Sequence, residues 1–114
     1  MRELEENEVT FTISVEPEDI PVVGNCSAID SETDKEIEDW IFSELENGNI
    51  WAWAWVTVTA HWKGFSASDY LGACSYESEE AFRKGGYFED MKAEALHNLN
   101  SELKIAFAAI EELL

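Results

Sequence analysis

The chain has 114 residues, 46% hydrophobic and 12% aromatic, with 25 carboxylates against 7 Lys and Arg and a formal net charge of −18. That length fits a single acidic domain, 1–114, and the aromatic content excludes a disordered acidic tail, whose signature is high charge with few aromatics. Charge of this sign argues against direct binding to nucleic acid or anionic lipid, and favours solubility and attraction to basic partners.

The first eight residues carry four Glu and no apolar run. No signal or transit peptide is readable there, so a cytoplasmic protein is expected. Val9, Phe11, Ile13 and Val15 then alternate with Thr10, Thr12, Ser14 and Glu16, which predicts a half-buried strand over about 8–16. Pro17 and Pro21 bracket an acidic turn, and the stretch through Gly24 to Ala28 reads as a loop. Ser31 and Asp34 resemble a capping box with Asp in place of Glu. Ile37, Trp40, Ile41 and Leu45 follow at helical spacing as far as Gly48, predicting a helix over about 32–46.

Residues 50–63 alternate strictly as a strand, with Trp51, Trp53, Trp55, Thr57, Thr59 and His61 on one face and Ala52, Ala54, Val56, Val58 and Ala60 on the other. The run is too short and too polar for a membrane span. A turn at Lys63-Gly64 predicts a hairpin to a third strand over about 65–76, with Tyr70, Gly72, Cys74 and Tyr76 sharing a side. Residues 77–84 read as a short helical piece stopped by Gly85-Gly86. From Tyr87 onward Leu96, Leu99, Leu103, Ala106, Ile110 and Leu113 form a helical stripe, with Leu103 and Phe107 expected in the core. The predicted fold is α+β, ordered β-α-β-β-α, a three-stranded antiparallel sheet packed with a long C-terminal helix.

Site chemistry is sparse. Glu94 and His97 have the E-x-x-H spacing of carboxylate-bridged metal sites, but such a site needs further ligands from facing helices. The spacing is therefore read as two surface side chains. His61 and Cys74 on neighbouring strands lack a third ligand, and a buried thiol commonly behaves as a small hydrophobe. Cys26 and Cys74 show no metal spacing and are expected to stay thiols. No nucleophile elbow, phosphate loop or dinucleotide fingerprint occurs, so neither catalysis, a cofactor nor a metal is expected.

Two features remain. Carboxylates are concentrated at the front, with 15 acids and 2 bases in residues 1–46 and no acid in residues 47–68. Glu32, Glu36 and Asp39 follow at i, i+4 and i+7 on the first helix, with Asp34 and Glu38 beside them. Neighbours in that row stand about 6 Å apart, close to the interval between phosphates along a nucleic-acid strand. The second feature is Trp51, Trp53 and Trp55, whose rings are too large to leave in water. They are expected either to form the core beneath the C-terminal helix or, if the small-residue face meets the helices, to form a homodimer or partner surface.

The stretches NGNIWAWAWVTVTAHWKGFSASDYLGACSYESEEAF and GGYFEDMKAEAL resemble segments of small acidic proteins encoded by phages and prophages, over about the last two-thirds of the chain. The resemblance implies an accessory protein, cytoplasmic in the host cell, and transfers no site residue. In that context small acidic proteins are often anti-CRISPR or anti-restriction inhibitors that mimic DNA. The expected partner is a basic nucleic-acid-binding protein complex, met through Glu32, Asp34, Glu36, Glu38 and Asp39 and the three tryptophans. The alternative is a structural or regulatory homodimer on the tryptophan face.

Overall fold

The structure, a computed structural model, describes residues 1–26 and 31–114. Its elements are β1 (Thr10–Pro17), α1 (Ser31–Glu46), β2 (Ala54–Trp62), β3 (Phe65–Cys74), α2 (Glu79–Lys84) and α3 (Gly86–Glu111), with short 3-10 turns at Glu6–Glu8 and Ile50–Ala52. The fold is α+β as the pattern predicts, with an antiparallel sheet ordered β1-β2-β3 and the long C-terminal helix packed on it. The capping box expected of Ser31 involves a side chain outside the described residues. The Gly24–Ala28 loop lies only partly within them.

The middle strand decides which side of the sheet is covered. Ala54, Val56, Val58 and Ala60 are completely buried, whereas Trp55, Thr57, Thr59 and His61 on the other face retain exposure. The expectation that the tryptophan face forms the core beneath the C-terminal helix is therefore overturned. Side-chain bulk explains the outcome, because a helix can lie close to a sheet only over small residues, and a row of indoles would hold it off.

Two compact units can be described separately: Met1–Ser14 with Thr57–Tyr70 and Gly85–Leu114, and Val15–Val56 with Leu71–Lys84. In the first, Leu99 and Leu103 of α3 pack with Ala95 on the alanines Ala60 and Ala67 of the hairpin, edged by Leu4, Val9, Phe11 and Trp62. The hairpin turn places both Lys63 (φ 45) and Gly64 (φ 85) in the left-handed region. A two-residue type I′ turn requires that, because its twist matches the flanking strands. The N-terminal segment is clamped to α3 by buried Asn100, whose Oδ1 accepts the Leu4 N–H at 2.8 Å while its Nδ2 donates to the Leu4 carbonyl at 3.1 Å. The side chain thus satisfies both the donor and the acceptor of the Leu4 backbone. Arg2 reaches Glu8 with two bonds of 2.7 Å, and Lys104 pairs with Glu3.

The helical stripe leaves the core sooner than its spacing suggests. Leu99 and Leu103 are buried, but Phe107 is 44% exposed and Ile110 and Leu113 more so. Burial of Phe107 is thus corrected, since past Leu103 the stripe borders an open groove and is not covered over.

In the second unit Val22, Ile41, Ala52 and Trp53 form a buried cluster edged by Cys26, Ile37 and Leu45. Helix α1 ends as its glycine predicts. Gly48 is left-handed (φ 87), its N–H donates to the Leu45 carbonyl at 3.0 Å and the Asn49 N–H to that of Glu44 at 2.9 Å, which is the Schellman arrangement. Trp40 belongs to the predicted apolar stripe of this helix yet stands partly exposed.

At the end of β3 Ala73 is left-handed (φ 52), and Cys74 is buried while Tyr70 is exposed. The predicted shared side for Tyr70, Gly72, Cys74 and Tyr76 is corrected accordingly, because one left-handed residue shifts the strand's alternation by a step. The Ala73 N–H donates to the Glu18 carboxylate at 3.0 Å. Tyr76 lies past the strand, edge-on to Phe82 at 5.3 Å between ring centres.

Candidate partner-binding surface

Helix α1 carries seven carboxylates and one base, Lys35, in sixteen residues. Its Ile37, Ile41 and Leu45 turn inward toward Val22, Ala52 and Trp53, and that anchoring fixes which acids face water. Glu32, Glu36 and Asp39 are exposed. Sequence reading missed Glu46, which is also exposed and continues the row at i+14 from Glu32, so the row extends for roughly 21 Å at 1.5 Å per residue. The signal was present in the spacing, but the burial of the intervening turns was needed to see one continuous face.

Asp34 and Glu38 point elsewhere. Glu38 accepts the Gly24 N–H at 3.3 Å, and the Asp34 Oδ1 is enclosed without a hydrogen-bond partner among the described residues. The Cys26 thiol is held above its ordinary range by burial first, then by the nearby charges of Glu38 and Asp34. These two acids border the Val22–Cys26 segment, and the outward surface belongs to the other row.

Among the described residues no ion pair involves a carboxylate of α1. The pairs instead use Glu3, Glu6, Glu8, Glu79, Glu80 and Glu89. Five of the chain's seven bases, Arg2, Arg83, Lys84, Lys92 and Lys104, are thus paired away from this helix, and Lys35 is its one base, so most of its carboxylate charge is available to a partner.

The tryptophans do not form one exposed row. Trp51 precedes β2, in the Ile50–Ala52 turn, where its ring tilts against Phe82 at 5.3 Å. Trp53 is only 4% exposed, and its indole N–H donates to the Ile20 carbonyl at 2.7 Å. It is therefore a core residue and is corrected as a contact residue. Trp55 alone stands well out, 40% exposed, with its ring over Gly72, where an added Cβ would meet ring atoms at 3.1 Å. The 3-10 turn breaks the strict alternation on which a three-indole face depends, because it ends the period of two before Trp53.

The remaining chemical candidates are dispersed. His61 Nε2 lies 2.8 Å from the Thr12 hydroxyl, and the Cys74 thiol donates to the Leu71 carbonyl at 3.4 Å. Burial, with a smaller contribution from the Glu18 charge, pushes the Cys74 thiol up to about 11, which suppresses the thiolate that a nucleophile or metal ligand requires. Glu94 and His97 are both exposed on α3. Among the described residues no three His, Cys, Asp or Glu side chains gather as metal ligands, and no helix is long and apolar enough to cross a membrane. In comparisons with known proteins no family model, curated protein or solved structure matches the chain.

Proposed function

We propose that this protein inhibits a nucleic-acid-binding host defence complex by laying the exposed carboxylates of α1 where phosphates would lie, as a DNA mimic of the anti-CRISPR or anti-restriction kind. The observation that carries the reading is the row of Glu32, Glu36, Asp39 and Glu46, free of ion pairs among the described residues, on a chain of net charge −18. A groove lined by Lys and Arg is built to neutralise anions at the spacing of a phosphate backbone, and carboxylates one helical turn apart approximate that spacing. Long-range attraction accelerates the encounter, and a helix anchored through Ile37, Ile41 and Leu45 presents the acids on a backbone that need not be ordered on binding. The reading involves no catalytic step and no cofactor.

A low-salt pull-down with mass spectrometry identifies the partner, and competition with duplex DNA then tests the surface. The triple variant Glu32→Lys, Glu36→Lys, Asp39→Lys should weaken binding by about 2–5 kcal/mol while leaving the fold unchanged. Duplex DNA should displace the wild-type protein, and affinity should fall as salt rises. A partner whose binding survives both saturating DNA and the triple reversal would overturn the proposal.

A further inference from the structure

The first unit contains an apolar groove of about 360 Å³, lined chiefly by Leu4, Trp62, Phe65, Leu103, Phe107 and Ile110. It lies between the C-terminal part of α3, the N-terminal segment, and Trp62 and Phe65 of the hairpin. The stripe that is buried at Leu99 and Leu103 continues through Ala106 and Ile110 at alternating intervals of three and four, the heptad spacing by which one helix packs on another, and Leu113 follows in the turn past the helix end. Left uncovered, such a stripe is an apolar surface of the kind that marks an interaction site.

Charge identifies the occupant. Within α3, residues 102, 107 and 109 flank this seam, and they are Glu102, Phe107 and Ala109, so only one carboxylate borders it there. Glu111 and Glu112 fall on the side away from it. The bases at the rim are already neutralised, Arg2 by Glu8 and Lys104 by Glu3, while Lys63 lies over the Trp62 ring at 5.7 Å. A basic partner helix would need acids along the flanks to select it, as charged flanking positions do in helix pairs, and they are missing there. The surface is locally near neutral on a strongly acidic chain, which is the condition under which two copies of the same chain can meet.

We infer that the protein forms a homodimer in which the C-terminal stripe of α3 from each copy, centred on Ile110, packs over the groove of the other. The contact is isologous, so the same residues serve on both sides. It is built from no α1 residue and does not rest on the function proposed for that helix.

Because each copy carries −18, the dimer must form against mutual repulsion, and screening must tighten it. Capture of a basic helix, or binding of a basic protein through α1, would loosen with salt instead. Sedimentation equilibrium on the purified full chain, at about 0.1 M and about 1 M salt where the screening length falls from roughly 10 to 3 Å, reads this directly. The expected result is a species of twice 12.9 kDa that strengthens with salt. Ile110→Glu should raise its dissociation constant about thirtyfold or more. Ile105→Glu adds the same charge at a position 71% exposed and off the seam, and should leave the dimer intact. Circular dichroism checks that both variants fold, and if Ile110→Glu does not, Leu113→Glu at the helix end replaces it. A wild-type monomer at both salt concentrations, a dimer that loosens with salt, or equal effects of the seam and off-seam variants would each overturn the inference.

Discussion

Leu99→Ala tests whether α3 is held to the sheet by the contacts described. Leu99 is 0% exposed and packs with Ala60, Ala67 and Ala95. The substitution removes three carbon atoms, worth roughly 2–2.5 kcal/mol at about 0.8 kcal/mol per buried methylene. A cavity adds to that loss when the surroundings cannot collapse, and Ala60, Ala67 and Ala95, three of the four other buried residues of the cluster, have no rotamers with which to fill a void. The expected cost is therefore in the upper part of the range for such changes, about 3–5 kcal/mol. Urea unfolding followed by circular dichroism measures it, with Ile105→Ala as a comparison on the same helix. Ile105 is mostly exposed, and its truncation should cost less than about 0.5 kcal/mol. If Leu99→Ala costs under about 1 kcal/mol, the alanine-lined surface does not seat this helix and the account of the covered sheet face fails.

Two further outcomes follow from local geometry. Gly72→Ala places a Cβ 3.1 Å from both the Trp55 ring and the Glu18 carboxylate, so it should destabilise by about 1–3 kcal/mol in thermal melts, whereas a neutral effect would mean that the ring does not rest on this strand. The Arg2 guanidinium, and then the Glu5 N–H, hold the Glu8 carboxyl down at about 2. A carboxyl lowered in the folded state supports stability above its ordinary value of 4.5 and withdraws that support as pH falls toward 2. An NMR titration should place its midpoint in that window and Arg2→Ala should move it back up, while an unshifted midpoint in the wild type would refute the clamp.

Sequence alone determined the elements, because their signals are local. The alternation at Val9 to Val15 located β1, the two-residue turn at Lys63-Gly64 located the hairpin, and Gly48 marked the end of α1, each through backbone preferences that need no distant neighbour. The acidic row on α1 was legible for the same reason, since Glu32, Glu36 and Asp39 share a face by helical spacing alone. What tertiary structure decided was which face each element turns inward. Period-two alternation offered two faces of β2, and only the fit of Leu99 and Leu103 against alanines selected the small one. Asp34 and Glu38 were separated from their neighbours by the Val22–Cys26 segment, which is far from neither in sequence but packs according to the fold. The tryptophans diverged because a 3-10 turn at Ile50–Ala52 interrupts regular geometry where the side-chain pattern continues unbroken, and a left-handed Ala73 likewise set Cys74 apart from Tyr70. The exposed end of α3 was hidden for the converse reason: its apolar period continues past Leu103, and periodicity records what a helix can bury, whereas its tertiary neighbours set what is buried.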